Sequence, residues 1–360
     1  GQFYPGSADK LQKTCQYYLQ QAGASKLTTK PIALIAPHAG YVYSGRIAGV
    51  SFNEIKRYNY DAVIVIAPSH THSFSFASIY SGEYYETPLG KMKVEKKLAE
   101  SLTEPDKYIK ISNEGHENSP NRRGEHAIEV ELPFIQTIMP EVPVVPIVLG
   151  TQKYEVLNEL GNSLAEIIKD QNVLIVVSSD LSHYHSYSEA NKIDKRLIDN
   201  LKKFEPRAFY RGIQRGYYEA CGAGPITAML IATKKAGAQN IHILEHANSG
   251  DTRYGEKSRV VGYLSAAVTF DNKGHNEQNK RSFNMNKENQ NQLNRDEKEF
   301  LLSLAEKSVE SAVRNKDNPE PDQIPKITEE ERGAFVTLHK NGNLRGCIGY
   351  VLPIKSLWKT

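Results

Sequence analysis

The sequence predicts an α/β protein: residues 1–270 form three layers, with helices on both faces of a central sheet, and a smaller α+β segment follows. Continuous apolar runs rich in Val and Ile are typical of strands buried on both faces, as in a parallel sheet covered by helices. Four such runs lie at 32–36, 62–66, 142–149 and 173–177. Helix-like segments alternate with these strands, and that alternation is typical of a three-layer α/β/α domain.

The helical segments of this domain show apolar residues at three- and four-residue spacing, or capping and charge patterns at their ends. We predict them at 8–21, 94–102, 125–139, 154–170, 187–203 and 224–235. Two final strand-like runs, at 241–246 and 260–270, close the unit. We therefore expect one domain over residues 1–270.

The composition changes after the last of these strands. Residues 271–294 are dominated by Asn, Gln and Lys and have little to bury, which predicts a flexible linker. Beyond it, residues 295–360 contain an amphipathic helix at 295–314 and a hairpin with an Asn341-Gly342 turn. One helix and one hairpin are too little for a complete core, so we expect an incomplete second domain.

The composition also argues against several classes of protein. The 45 Lys and Arg residues nearly balance the 42 Asp and Glu residues, so charge gives no reason to expect nucleic-acid or membrane binding. No apolar run approaches the roughly 18 residues of a membrane-spanning helix. Cys15, Cys221 and Cys347 are far apart in sequence, so we expect no disulfide framework and a reducing, cytoplasmic location.

Histidines follow two of the predicted buried strands. His38 comes just after the run at 32–36, and His70 follows the run at 62–66. In an open α/β sheet, ligands bind in the crevice beyond the carboxyl ends of the strands, so we expect both imidazoles there. Of His70 and His72, we expect only His70, which lies nearer the end of the strand, to face the crevice, and we expect His72 at the surface.

Cys221 is the predicted third metal ligand. It lies in a turn that opens a helix, where a thiol has a lowered pKa and the thiolate is the ligand-competent form. Two neutral imidazoles and one anion, with open positions, form a divalent-metal site of the facial-triad kind. The soft thiolate favours iron or copper, and zinc also fits. There are two alternatives. Either His38 only hydrogen-bonds a loop carbonyl in place of a metal, or Cys221 is only a small buried residue of the core.

Three further residues are candidates for moving protons or contacting substrate. His126 follows Glu125 at the start of a predicted helix, and an imidazole pointing into the crevice would contact the substrate. Asp180 and His183 follow the run at 173–177. The carboxylate of Asp180 either fixes the tautomer of a neighbouring imidazole or caps the helix expected after this turn.

These residues belong to motifs that occur together in one known family. The chain resembles the Memo family, known in prokaryotes as AmmeMemoRadiSam system protein B, over residues 1 to about 270. The motifs that carry the resemblance are Gln2-Phe3-Tyr4-Pro5, Ala36-Pro-His-Ala-Gly-Tyr41, Pro68-Ser-His70, Thr87-Pro-Leu-Gly90, Glu125-His126, Glu131-Leu-Pro-Phe134, Ser179-Asp-Leu-Ser-His183 and Cys221-Gly222.

The resemblance implies a LigB-like fold, that of the class III extradiol ring-cleaving dioxygenases. In that superfamily the positions matching His38 and His70 hold iron, His183 matches a catalytic acid/base histidine, and His126 matches a histidine of the substrate region. Ring-cleaving relatives have a glutamate where this chain has Cys221. For Memo proteins the resemblance implies iron or copper binding, and peptide binding for animal members.

The tail resembles the beginning of the AMMECR domain, AmmeMemoRadiSam system protein A. The motif Leu344-Arg-Gly-Cys-Ile-Gly349 carries this likeness, and about the first third of such a domain is present. The family context implies association with a radical S-adenosylmethionine protein.

Two functions are therefore compatible with the sequence. The first is an Fe(II)-dependent oxidoreductase in which His183 moves a substrate proton. The second is a non-catalytic protein that binds a metal, or a small-molecule or peptide ligand in the crevice. Cys221 favours the second, because a thiolate beside activated oxygen is itself oxidised. Asp180, His183 and His126 favour the first, because binding alone needs no acid/base group.

Overall fold

A computed structural model describes residues 1–103, 107–117, 124–270, 295–314, 317–321, 323–329, 334–340, 343–350 and 356–359. The described residues fall into two compact units, one within residues 1–275 and one within residues 276–360. The segment 271–294, for which the sequence predicts a linker, lies outside the described residues.

The first unit is built on one large mixed sheet. Its strands are β1 Pro31–Ala36, β2 Ala62–Pro68, β3 Ala77–Ile79, β6 Ile109–Ile111, β7 Val144–Leu149, β8 Val173–Ser178, β9 Asp180–His185, β10 Ile241–Asn248 and β11 Val260–Thr269. They are arranged in the order β10-β11-β1-β8-β2-β7-β3-β6, and β9 also pairs with β11. A separate ribbon pairs β4 Tyr84–Thr87 with β5 Gly90–Lys93.

The predicted parallel sheet is correct for the four central strands. β1, β8, β2 and β7 are parallel neighbours, and every residue of these four strands is buried. The flanking strands differ, because β11 runs antiparallel to β1 and β3 runs antiparallel to β7. Parallel strands bring their carboxyl ends to the same edge, and this edge carries the candidate site.

Helices cover both faces of the sheet. They are α1 Ala8–Gln21, α2 Tyr41–Asn53, α3 Lys96–Thr103, α4 His126–Glu129, α5 Leu132–Ile138, α6 Tyr154–Asp170, α7 Tyr187–Leu201, α8 Pro206–Gln214 and α9 Ala223–Lys235. Alternate residues of one strand enter different cores, since Ile64 and Ile66 pack with α3, α6 and α9 whereas Val63 and Val65 pack with α1, α2 and α5. The three-layer α/β/α prediction is therefore confirmed.

Three local predictions differ from the structure. The single helix expected at 125–139 is two short helices, α4 and α5, of which α5 begins just before Pro133. The helices α2 and α8 were not predicted. In α2 the reason is burial almost throughout, which leaves no polar face to reveal its period. Asp180 was expected at a strand-to-helix turn, but it begins β9, and its backbone pairs with Tyr263 of β11.

The second unit contains one long helix and a hairpin among its described residues. The helix α10 spans Arg295–Val313, and the antiparallel strands β12 and β13 span Ala334–Lys340 and Asn343–Tyr350. This helix and hairpin match the elements predicted for residues 295–360. Within the described residues, no helix has the length and apolarity needed to cross a membrane.

Candidate metal centre

The candidate centre lies at the carboxyl-end edge of the parallel strands. His38 follows β1 by two residues, and His70 follows β2 by two residues. His126 is the first residue of α4, and Cys221 lies two residues before α9. Sequence-distant segments therefore present three imidazoles and one thiol to a single crevice.

The three imidazoles form a group that could hold a metal ion. One ring nitrogen each from His38, His70 and His126 lies within 4.8 Å of the others. The ring centroids are 5.1 Å apart for His38 and His70, 5.5 Å for His38 and His126, and 5.1 Å for His70 and His126. His126, predicted as a substrate contact, thus lies among the potential ligands.

Glu125 orients two of these imidazoles at once. Its Oε1 lies 2.9 Å from Nδ1 of His70 and 3.0 Å from Nδ1 of His126. The same carboxylate accepts the backbone N–H groups of His70 and Ala127, the latter as the N-cap of α4. With both Nδ1 atoms bonded to a carboxylate, the Nε2 atoms are left for a ligand, as in carboxylate–histidine–metal arrangements.

Burial and hydrogen bonding act in opposite directions on the pKa values of Glu125 and His70. Burial alone would raise the pKa of the Glu125 carboxyl, but hydrogen bonds from His126 and His70 hold it below its usual range. Burial alone would lower the pKa of His70, and the Glu125 carboxylate instead raises it above its usual value. Glu125 is therefore an anion that stabilises positive charge beside it.

His38 is the most deeply buried of the three histidines, with an exposed fraction of 2%. Its Nδ1 lies 2.8 Å from Oγ of Ser178, and its Nε2 lies 3.3 Å from Sγ of Cys221. Burial lowers its pKa well below the usual value, and the neighbouring imidazoles lower it further. His38 is therefore a neutral imidazole, the form that binds metals.

Cys221 lies beside His38 but outside the group of three imidazoles. Its Sγ is 3.2 Å from the backbone nitrogen of Asp180, which donates to it. Nitrogen and sulfur ligands bound at about 2.1 Å and 2.3 Å to one tetrahedral ion lie about 3.6 Å apart. The 3.3 Å between His38 Nε2 and Sγ is within a few tenths of an ångström of this value. The lowered thiol pKa expected from the sequence is wrong for this structure, because burial and the Asp180 carboxylate raise the pKa of Cys221.

Asp180 connects the loops that carry His38 and Cys221. Its Oδ1 accepts the backbone N–H of His38 at 2.9 Å, and its carbonyl accepts the N–H of Cys221 at 3.3 Å. Burial raises the pKa of its carboxyl above the usual range. Asp180 caps no helix, so it fixes two backbones at the edge of the crevice.

The tautomer of His183 is set by its own strand. Its Nδ1 lies 2.8 Å from the carbonyl oxygen of Leu181, so Nδ1 carries the hydrogen and Nε2 carries the lone pair. The next residue, Tyr184, has a φ of 64°, which is uncommon for a residue with a side chain. An imidazole held in this way is suited to accept a proton.

Sequence reasoning missed the second layer of this site. Glu125, Ser178 and Glu131 were given no role at the site, although all three are buried. The sequence gives little indication of these three residues, because a serine at the end of a buried strand and acidic residues in a predicted helix are common. His72, expected at the surface, bonds Glu114 at 2.6 Å and lies outside the imidazole group.

One side of the centre opens into a cavity of about 550 Å³. Phe3 stacks on His126 with ring centroids 4.3 Å apart and forms part of its wall. Other aromatic walls come from Tyr80, Tyr84 and Tyr85. A volume of this size accommodates a small organic molecule or a peptide side chain.

Known proteins resemble this chain over the unit that carries the site. A MEMO1 family protein of Nitrosopumilus maritimus is 34% identical over 275 residues, which cover 75% of this chain and 97% of that protein. One from Methanocaldococcus jannaschii is 35% identical over 285 residues, with 74% and 96% covered. A solved structure of an uncharacterized protein from Escherichia coli K12 aligns with a TM-score of 0.44 and 15% identity, covering 66% of this chain and 98% of that one.

Two family models match this chain, over separate ranges of residues. Residues 302–360 match the family described as AMMECR1. Residues 1–267 match the family described as Memo-like protein, and these residues include the whole candidate centre. On this match, and on relatives about one-third identical over three quarters of its length, the chain belongs to the Memo family.

Proposed function

We propose that the protein is a metal-dependent oxidoreductase that binds a divalent transition metal at this centre. Iron(II) is the proposed metal, with copper or zinc as alternatives. His38, His70 and Cys221 are the proposed ligands, and His126, which belongs to the same imidazole group, would offer a further donor. The observation that carries the proposal is the group of three imidazole nitrogens within 4.8 Å of one another.

The donor set fits a metal chemically. Metal binding requires imidazoles with a free lone pair, and the Nδ1 atoms of all three histidines are engaged by Glu125 or Ser178. An anionic ligand offsets the charge of a buried divalent ion, and Cys221 would supply one as its thiolate. A soft thiolate with imidazoles favours iron, copper or zinc over magnesium.

Bound iron would supply a Lewis acid with open coordination positions and a redox couple. The chain's own residues would do the rest. His183 would take a substrate proton at Nε2, because its Nδ1–H is held by the carbonyl of Leu181. Asp180 would hold the backbones of His38 and Cys221, and the wall formed by Phe3 would exclude water from one side.

The test is metal analysis of anaerobically purified protein, followed by measurement of oxygen uptake with catechols. We expect about one iron per chain and substrate-dependent uptake that is lost in His183→Ala. Protein that retains no iron, copper or zinc after anaerobic reconstitution would contradict the proposal.

A second candidate function is partner binding without catalysis. An exposed patch beside the crevice favours it, since Tyr17 and Val42 are each 55% exposed and Tyr43 is 38% exposed. They line a cavity of about 590 Å³ that also includes Phe3 and Gly40. The proposed partners are a peptide or small molecule in the crevice and a radical S-adenosylmethionine protein.

The variant His183→Ala separates the two functions. If the protein only binds, this change leaves ligand or partner affinity unaltered and no oxygen-dependent turnover exists to be lost. If the protein is an oxidoreductase, binding survives and turnover does not.

A further inference from the structure

We propose that Asp194, in the helix α7, is a positioning residue of the candidate centre. Its buried carboxylate holds the strand β9 in an irregular path that brings Asp180 and His183 to the same face of the sheet. The inference rests on the proposed function only in treating His183 as the proton acceptor. The placement of the two side chains follows from strand pairing and does not depend on a metal or a reaction.

The strand β9 contains more residues than the part of β11 with which it pairs. His183 lies opposite Val261. Asp180 lies opposite Tyr263. Three steps along β9 thus match two steps along β11, so β9 has one extra residue between Asp180 and His183. An extra residue of this kind forms a β-bulge, which interrupts the ladder and changes the direction of the side chains beside it.

The bulge decides which face His183 occupies. Side chains of a regular strand alternate, so residues three apart in the chain point to opposite faces. Residues directly opposite each other in an antiparallel pair share a face. Val261 and Tyr263 are two apart in β11 and therefore point the same way. Their partners in β9, Asp180 and His183, consequently share one face.

That face is the one that meets the crevice. The residues of β11 on this face pack with Ala39, which follows His38 in the chain. Leu181 lies in the core on the other face, which also contains Leu197 of α7. Without the extra residue, His183 would share the face of Leu181 and would point away from the crevice.

A second bulge follows directly in the same strand. His185 lies opposite Val260, the neighbour of the residue that pairs with His183, so Tyr184 is also an extra residue. Tyr184 has a φ of 64°, in the left-handed region that glycine usually occupies in bulges. This bulge directs His185 to the face opposite to His183, and its imidazole bonds Glu219. Of these two histidines, His183 alone faces the crevice.

Asp194 satisfies a backbone group that the first bulge frees. Ser182 lies within this bulge, and its N–H donates to Oδ1 of Asp194 at 3.1 Å. The other carboxylate oxygen, Oδ2, lies 3.0 Å from Nε2 of His246 in β10. Asp194 and Ser182 are completely buried. A buried N–H without an acceptor is costly, so this carboxylate stabilises the irregular path of β9.

Gly262 leaves the space that this carboxylate needs. A Cβ atom at position 262 would overlap Oδ2 of Asp194. Gly262 lies between Val261 and Tyr263 in β11, so it points to the face opposite to theirs. Asp194 therefore lies on the side of the sheet away from the crevice, and it acts on His183 through the backbone of β9.

Three substitutions test this role. Asp194→Ala removes the acceptor and keeps a good helix former in α7. Asp194→Asn retains it, because the amide oxygen can accept from Ser182 while the N–H₂ group donates to a His246 with its lone pair on Nε2. Gly262→Ala displaces the carboxylate without changing it. Glu54→Ala is the matched control, since Glu54 is a buried carboxylate that accepts two backbone N–H groups elsewhere in the domain.

The first measurement is made on the whole chain without metal. The amide hydrogen of Ser182 should exchange slowly in wild type and in Asp194→Asn, and its protection should be lost in Asp194→Ala and Gly262→Ala. Spectra of ¹⁵N-histidine protein at a pH where imidazoles are neutral should show His183 as the Nδ1–H tautomer, bonded to the carbonyl of Leu181. The two disrupted variants should show the tautomer mixture of a free imidazole. Loss of the signals in His183→Asn identifies them.

The second measurement is oxygen uptake with catechols in the iron-loaded protein. We expect a loss of about 100-fold in Asp194→Ala at unchanged metal stoichiometry, because a small displacement of a reacting group has an effect of this size. Asp194→Asn and Glu54→Ala should stay near wild type. If Asp194→Ala does not fold, Gly262→Ala carries the same comparison.

Two results would overturn the inference. One is wild-type exchange at Ser182 together with a wild-type His183 tautomer in Asp194→Ala or Gly262→Ala. The other is an equal change of the His183 signals in Glu54→Ala, which would reflect a general loss of stability. If the His183 signals change as expected but wild type shows no turnover, the inference is supported and the proposed oxidoreductase function is overturned instead.

Discussion

Nε2 of His38 lies 3.3 Å from Sγ of Cys221, although 183 positions separate the two residues in the chain. The contact joins the end of the first central strand, β1, to the start of the helix α9. It places the soft donor of the centre beside its most buried imidazole.

Substitution of Cys221 should change metal preference. Cys221→Glu keeps a negative ligand but replaces a soft donor with a hard one, so we expect weaker copper binding with iron binding largely kept. Cys221→Ser loses the charge and should weaken both metals. Titration of each metal under anaerobic conditions checks this. Cys15→Ala is the control, since Cys15 is a buried thiol away from the imidazole group.

Removal of the charge on Glu125 should weaken metal binding. Glu125→Gln leaves one amide oxygen to serve two imidazole donors and brings an N–H₂ group toward the backbone N–H of His70. We expect a 10- to 100-fold loss of zinc affinity. Glu114→Gln, at the His72 pair outside the centre, should leave affinity unchanged. Similar effects of the two substitutions would mean that Glu125 does not orient the ligands.

Stability should depend on pH through Glu131. Its folded pKa is raised above the usual 4.5, so its contribution is complete below pH 4.5 and is lost as the pH rises toward the folded pKa. Glu131→Gln lacks this dependence. The free energy of unfolding of the Gln variant, relative to wild type, should therefore increase above pH 4.5 by up to about 1.4 kcal/mol per pH unit.

Urea unfolding at several values between pH 4 and pH 8 measures this difference directly. Titration of Asp180, Glu125 and the histidines occurs in both proteins and largely cancels. A difference that stays constant over this range would show that Glu131 titrates normally.

Loss of His183 should separate binding from turnover. In His183→Ala we expect unchanged metal stoichiometry and no oxygen-dependent turnover, because only the proton acceptor is removed. His185→Ala is the control; its imidazole bonds Glu219 at 2.7 Å. Turnover that persists in His183→Ala would assign the proton transfer to another group.

Local sequence pattern predicted most of the helices, the four central strands and the position of two imidazoles of the candidate centre. The helices Ala8–Gln21 and Tyr154–Asp170 have the ends predicted for them, the first from its capping signal and the second from its apolar spacing. Buried runs predicted the four central strands, and parallel pairing then placed His38 and His70 at one edge. These inferences succeed because period and strand direction depend on neighbours in the chain.

The tertiary structure alone decided the remainder of the centre. Glu125 bonds His70 across 55 positions, and Ser178 bonds His38 across 140, so no local pattern could reveal either contact. Asp180 became a strand residue because β11 offered a partner for its backbone. Cys221 illustrates the physical reason: its position before a helix suggested a thiolate, but burial of its thiol beside a carboxylate raises the pKa and favours the neutral thiol. Burial and long-range pairing, which only the folded chain has, determine these charges.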